Sequence, residues 1–142
     1  MMEFLSILFF AKTVLLTPVP IDLYGDLDMR LRTPLTAITS GASVEVNVSS
    51  MISKPEKEGI LEFGRRVKSA FPPGTLEAKL IGNDGQEVKL SYEGNYAYSN
   101  DAVLLVLTAN NGVPKKVEFE RVVVTSHIKL KSVLVSWKNF KH

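Results

Sequence analysis

Residues 75–92, TLEAKLIGNDGQEVKLSY, place apolar side chains at every second position on both sides of a turn. Successive side chains of a strand point to opposite faces, so a period of two predicts strands with one face in a core and one face in water. The turn Asn83-Asp84-Gly85 between the two runs is a strong hairpin signal, because Gly accepts the positive φ that tight hairpin turns require. The segment therefore predicts an antiparallel, half-solvated sheet.

The same alternation recurs elsewhere in the chain. Apolar and polar residues alternate over residues 27–32, 44–49 and 133–138, and a continuous apolar run covers residues 103–107. These segments are typical of strands, and the continuous run is typical of a central strand that is covered on both faces.

Two connections are also predicted. Residues 33–41 are rich in Thr, Ser, Pro and Gly, which is typical of a loop. We expect residues 117–140 to form two strands with a turn near residues 125–127.

One helix is expected at about residues 54–71. Ser53 and Glu56 have the spacing of a capping box, and Pro55 would stand in the first turn, where its missing N–H costs nothing. Apolar residues then follow at intervals of three and four from Ile60 to Phe71, which gives one apolar stripe. We expect this stripe to pack against the sheet.

Length and composition place the chain among ordinary globular domains. Its 142 residues fit a single domain, and 45% are apolar while 23% are charged. We therefore predict one all-β domain over residues 1–142, an antiparallel β-sandwich of jelly-roll type with the one packed helix. The absence of Cys excludes disulfides, zinc–thiolate sites and cysteine nucleophiles. Gly-rich phosphate loops are also missing, so we expect no cofactor.

The apolar segment Phe4–Leu16 leaves alternatives open. Lys12 interrupts it and Pro18 and Pro20 follow it, so it makes a poor membrane span and a poor signal peptide. Residues 1–16 would be a buried strand, an export signal or anchor, or a surface through which the chain forms a homo-oligomer. The compartment, cytoplasmic or exported, stays open for the same reason.

A Tyr- and Asn-rich segment is the candidate ligand site. Tyrosine offers a flat apolar face and a polar tip, which suits stacking on sugars or holding a peptide. The alternative is an ordinary hairpin loop of the same composition. The predicted ligand-binding residues are Tyr92, Asn95, Tyr96, Tyr98, Asn100 and Asp101.

Acidic and nucleophilic groups are less specific. Asp22, Asp26 and Asp28 could provide oxygen ligands for calcium, but their spacing is not that of an EF-hand, and we favour solvated charges over a metal site. Ser126 and His127 are adjacent, so a regular strand would direct them to opposite faces and prevent them from acting as a dyad. We therefore assign no catalytic and no metal-binding residue.

The basic residues late in the chain are a weak candidate for a nucleic-acid surface. Lys129, Lys131 and Lys138 could form a row that meets phosphate, but aromatic residues for base stacking are nearly absent there, and the net charge is only +2. Nucleic acid is therefore not an expected partner.

The favoured hypothesis is a non-catalytic binding or assembly module that presents the Tyr/Asn-rich loop to a protein or glycan. One alternative is a carbohydrate-active enzyme that uses two loop carboxylates. Another is a structural subunit of an envelope or virion assembly, in which the N-terminal segment donates a strand to a neighbour.

Overall fold

A computed structural model describes residues 12–139, and the apolar residues 4–11 of the N-terminal segment lie outside this range. The described part is mostly β, with one helix and an antiparallel curled sheet. Its elements are β1 (Lys12–Leu15), β2 (Ile21–Thr36), β3 (Ser43–Asn47), α1 (Ile60–Ala70), β4 (Leu76–Gly82), β5 (Glu87–Ser91), β6 (Tyr96–Ser99), β7 (Ala102–Leu107) and β8 (Glu118–Asn139).

The strand β8 organises the sheet. Its first half pairs with β2 on one side and β4 on the other, and its second half pairs with β1 and β3. The order β5–β4–β8–β3–β7–β6 therefore runs through β8. The curl of the sheet brings the end of β5 close to the end of β7. There, Ser91 and Thr108 exchange two backbone hydrogen bonds.

The prediction of two strands in residues 117–140 is wrong, because β8 continues through the polar residues 125–127. β2 and β4 hold this backbone on both sides, since Gly25 and Leu76 are both in register with Ser126. The actual irregularity is Ser132, whose φ is +53°. This residue shifts the alternation by one position, so one strand can direct apolar side chains into both halves of the curled sheet.

The core lies inside the curl of the sheet. At Ser132 the set of β8 residues that point into this core changes from even-numbered to odd-numbered. Between residues 120 and 131 the buried residues of β8 are even-numbered, and after Ser132 its buried apolar residues are odd-numbered. These buried apolar residues are Val122, Val124, Leu130, Val133, Val135 and Trp137. They pack with the inward residues of β3, β4 and β7 into one cluster. Of the run expected to be covered on both faces, residues 103, 105 and 107 are buried, while 104 and 106 are half-buried.

The helix is shorter than predicted. It ends as expected at Ala70, but it begins at Ile60, with Gly59 as an N-cap that offers no side-chain hydrogen bond. The predicted capping box does not form, because Ser53 accepts a hydrogen bond from Arg66, whose guanidinium also pairs with Glu58. Residues 53–58 are thus tied to the side of the helix as a non-helical segment.

The apolar stripe of the helix is also narrower than predicted. Phe63 and Val67 are buried, whereas Ile60 and Leu61 are 85% and 75% exposed. Within residues 12–139, no helix has the length and apolar composition needed to cross a membrane.

Two further boundaries differ from the sequence predictions. The loop expected over residues 33–41 begins later, since β2 continues to Thr36, which pairs with Glu118, and Leu35 is buried beside Phe119. The described end of the N-terminal segment is the strand β1, and its Leu15 is 56% exposed.

Candidate functional site

The Tyr/Asn-rich segment does not form one continuous surface. Tyr92 is fully buried, and its hydroxyl donates a hydrogen bond to the backbone carbonyl of Phe71 at 2.9 Å. Burial raises the pKa of Tyr92 to about 12. This residue belongs to the core, which corrects its assignment as a ligand-binding residue.

Tyr96 and Tyr98 lie on β6 and hold the helix. Both rings meet the ring of Phe63 edge to face, with centroid distances of 5.7 and 5.6 Å. The Tyr96 hydroxyl also lies beside Gly64, where it would be 3.4 Å from an added Cβ. Packing of the helix thus uses most of the aromatic surface that the sequence analysis had assigned to a ligand.

A small exposed tip remains at the end of β6. The Tyr98 hydroxyl donates to Asp101 at 3.1 Å, and the ammonium of Lys54 lies 3.7 Å from the same carboxylate. Partial burial, together with the hydrogen bond to Asp101, raises the pKa of Tyr98. Asn100 and Asp101 adopt positive φ values of 52° and 62° in the turn. Asn95 is exposed and its backbone carbonyl accepts the Val106 N–H, so it is not part of this tip.

A larger cleft of about 780 Å³ lies on the outer face of the sheet, across β2, β8, β4 and β5. Residues of these strands that are in register form rows across the face. One row contains Asp26, Thr125, Glu77 and Ser91, and the next contains Asp28, Val123, Lys79 and Lys89. The lining also includes Arg121, Glu87 and Asn110. Both signs of charge therefore line one concavity.

Two lysines stand directly opposite each other in this cleft. Lys79 of β4 and Lys89 of β5 are in register, and both side chains point outward. Like charges that are directly opposite on neighbouring strands destabilise a sheet. Among the residues that the structure describes, neither ammonium has an ion-pair partner. The pair is therefore a place where an anion would be stabilised by two cations at once.

The acidic residues around the lysines are held by other groups. Arg121 pairs with Asp28, and this hydrogen-bonded contact lowers the pKa of Asp28. Thr125 donates to Asp26 at 2.7 Å, and the His127 ring lies 3.3 Å from Glu77. Asp26, Asp28 and Glu77 are therefore each in contact with another side chain of the protein.

The remaining sequence candidates occupy separate places. Asp22 accepts the Ser132 N–H, and no group of three metal-ligating side chains occurs within residues 12–139. Ser126 is buried and bonds to the Ile128 carbonyl, whereas His127 is exposed. The two side chains therefore point to opposite faces, as predicted.

Two of the basic residues of β8 lie together. Lys129 and Lys131 are exposed and line one cleft with Tyr24, whose ring centroid is 5.9 Å from the ammonium of Lys129. Lys138 lies further along β8, 3.9 Å from the carboxylate of Glu45. Burial raises the pKa of Glu45, and the ammonium of Lys138 opposes this shift. Glu45, Lys138 and Asn100 line a second, smaller cleft of about 310 Å³.

The opposed lysines were not predicted from the sequence, although the hairpin contains the pattern that places them opposite each other. Lys79 and Lys89 are equidistant from Asp84, the middle residue of the turn. A symmetric hairpin pairs residues at equal distances from its turn, so the two would be placed opposite each other.

Comparison of the chain with protein families, with curated proteins and with solved structures finds no match in any of the three.

Proposed function

We propose that this protein is a non-catalytic binding module that recognises an extended segment of a partner protein, in which one acidic side chain lies between basic ones. In this proposal the two halves of the curled sheet act as the layers of a β-sandwich of jelly-roll type, and the outer face of one layer carries the site. The observation that supports it is the unpaired, opposed pair of Lys79 and Lys89 in the cleft.

The charges around this pair define the ligand. Along a strand, side chains on one face recur about every 6.7 Å, which is two residues. Glu77 precedes Lys79 by two residues on β4, and Glu87 precedes Lys89 by two residues on β5. Because β4 and β5 are antiparallel, these two acids flank the lysine pair on opposite sides. An extended peptide of the pattern Arg-x-Glu-x-Arg has the same spacing and the opposite charges.

The same charges argue against other ligand classes. A nucleic-acid backbone carries phosphates at every step, and phosphates beside the lysine pair would meet Glu77 or Glu87. The lining of the cleft contains no aromatic ring on which a sugar could stack. A protein segment of mixed charge is therefore the proposed partner.

The tip formed by Tyr98, Asn100 and Asp101 is proposed as a secondary contact. It retains the amide and carboxylate groups that were predicted to bind, and Tyr98 is 37% exposed. If Tyr98→Ala leaves the affinity for a partner unchanged while removal of the lysines abolishes binding, the secondary contact is wrong and the cleft alone is the site.

The test is a titration of the ¹⁵N-labelled protein with the peptide acetyl-Arg-Ala-Glu-Ala-Arg-amide, followed by NMR. We expect shift changes centred on residues 77–81 and 87–91, and weaker binding when Gln replaces the central Glu of the peptide. Exposed ion pairs contribute about 0.2–1 kcal/mol each, so Lys79→Gln should raise the Kd of the peptide by a factor between about 1.4 and 5.

A matched control is Lys57→Gln with Lys68→Gln, which changes the net charge equally but lies outside the cleft. If Lys79→Gln with Lys89→Gln and this control weaken binding equally, the attraction is non-specific and the proposal is wrong. It is also wrong if the Glu and Gln peptides bind the same residues equally well.

A further inference from the structure

The strand β2 leaves a long edge of the sheet unpaired. It runs over 16 residues and, within the described part of the chain, pairs with β8 alone. From Asp26 to Arg30 it is in regular register with β8. In an antiparallel pair, alternate residues direct their N–H and C=O groups away from the partner strand. A row of backbone groups on β2 is thus available to another strand.

The sequence of this edge is self-complementary. Residues 26–32 read Asp-Leu-Asp-Met-Arg-Leu-Arg, so the acidic half and the basic half are related by reversal about Met29. If two copies pair antiparallel with Met29 opposite the partner's Met29, Asp28 lies opposite the partner's Arg30. Asp26 lies opposite the partner's Arg32 in the same register. Each Leu of one copy is then opposite a Leu of the other.

The side chains of this edge are placed for such pairing. Asp26, Asp28, Arg30 and Arg32 are exposed on the outer face, while the intervening Leu27, Met29 and Leu31 are half-buried on the core face. Among the described residues, Arg30 and Arg32 form no direct ion pair, although the charge of Arg30 helps to lower the pKa of Asp28. A second copy would bring a carboxylate to each guanidinium and cover the remaining surface of the apolar residues.

The order of positive and negative charges along β2 distinguishes an edge that pairs with its own copy from an edge that is protected against such pairing. Proteins protect exposed edges with charges, often Lys, because like charges on two approaching copies repel. Within residues 26–32 of β2 the sign changes at Met29, so this register brings opposite charges together at all four charged positions of the stretch. No other antiparallel register centred within residues 26–32 does so.

We propose that two copies of this chain form a symmetric dimer by antiparallel pairing of β2 with the partner's β2 about Met29. The contact is isologous, since each copy contributes the same surface. It joins the two curled sheets edge to edge through main-chain hydrogen bonds, with register set by the charges. It uses a surface different from the segment Phe4–Leu16, which the sequence analysis considered for oligomerisation, and it does not depend on the lysine cleft.

The register is tested by cross-linking, for which the absence of Cys is an advantage. In Met29→Cys the two thiols are directly opposite, with Cα atoms about 4.5–5.5 Å apart, within the range that a disulfide spans. Mild oxidation should give a covalent dimer. Leu27→Cys is the matched control, because its opposite residue is the partner's Leu31 and its own copy lies about 13 Å away. Leu27→Cys with Leu31→Cys should cross-link again.

The charges are tested by sedimentation velocity over a range of protein concentrations. Arg30→Glu with Arg32→Glu should raise the Kd of the dimer about tenfold, because all charges within residues 26–32 then become acidic. Mixing this variant with Asp26→Lys and Asp28→Lys should restore a heterodimer. Arg65→Glu with Lys68→Glu changes the net charge by the same amount on the helix and should leave the dimer intact.

Several outcomes would overturn the proposal. These are a wild-type chain that stays monomeric at the highest concentration, Met29→Cys and Leu27→Cys cross-linking to the same extent, and the helix control weakening the dimer as much as the edge variant. If the Lys variants fail to fold, as judged by the fluorescence of Trp137, the acidic variant and its control still decide the question.

Discussion

The buried hydroxyl of Tyr92 predicts a specific dependence of stability on pH. Tyr92→Phe removes the donor that satisfies the Phe71 carbonyl, and a buried polar group left without its partner costs about 1–3 kcal/mol. We expect the variant to lose this amount of free energy of unfolding at pH 7. The fold should be retained, because the ring is unchanged.

At alkaline pH the difference should shrink. The pKa of Tyr92 rises from 10.0 to about 12 on folding, so the unfolded chain loses its phenolic proton first. The stabilisation by the neutral hydroxyl is complete below pH 10 and is lost as pH rises through about 12. A shift of about two pKa units corresponds to about 2.7 kcal/mol, which sets the limit of the loss. Since Tyr92→Phe lacks the titrating group, wild-type stability should fall toward that of the variant.

The assay is guanidinium unfolding of both proteins at a series of pH values from 7 to 12, at one protein concentration. Fluorescence of Trp137 reports the transition, since it is the single tryptophan and is buried. Other groups that titrate in this range are shared by both proteins and cancel in the difference. If the difference in free energy of unfolding stays constant from pH 9 to pH 12, the hydroxyl is not a buried, neutral donor and the reasoning is refuted.

Two further predictions concern the strand β8 and the helix. Ser132→Val should lower the free energy of unfolding by about 1–3 kcal/mol, because a β-branched residue is strained at positive φ, whereas Ser132→Gly should not; equal losses in denaturant unfolding would contradict this. Phe63→Ala should cost about 3–5 kcal/mol, because its buried ring joins the helix to β6. Leu61→Ala, two residues away and exposed, should change stability by less than about 0.5 kcal/mol, and a comparable loss in both variants would show that the helix packs differently.

Secondary-structure elements were predicted correctly where they depend on residues close together in the chain. The hairpin of β4 and β5 was predicted from alternation and the turn at Asn83-Asp84-Gly85, where Gly85 has a φ of +85°. The strand β3 and the end of the helix near residue 71 were predicted in the same way. These features depend on side-chain periodicity and on the backbone freedom of single residues, both of which can be read along the chain.

The start of the helix depended on a contact that the sequence does not show. Ser53 and Glu56 have the correct spacing for a capping box. However, Arg66, which is 13 residues after Ser53, donates a hydrogen bond to the Ser53 hydroxyl. A cap is a local hydrogen bond, and a charged group brought near by folding can replace it.

The alternation of apolar and polar residues is enough to specify an antiparallel sheet with one solvated face, because strands alone satisfy a period of two. Which strands are neighbours depends on the tertiary structure, since pairing between distant segments follows from the curl of the whole sheet. It is this pairing that buries Tyr92, gives β8 a place in both halves of the sheet and, within residues 12–139, leaves one edge of β2 unpaired. The residues of the opposed lysine pair and of the self-complementary edge can be read in the sequence. That they lie opposite one another and are exposed follows only from the register and burial in the structure.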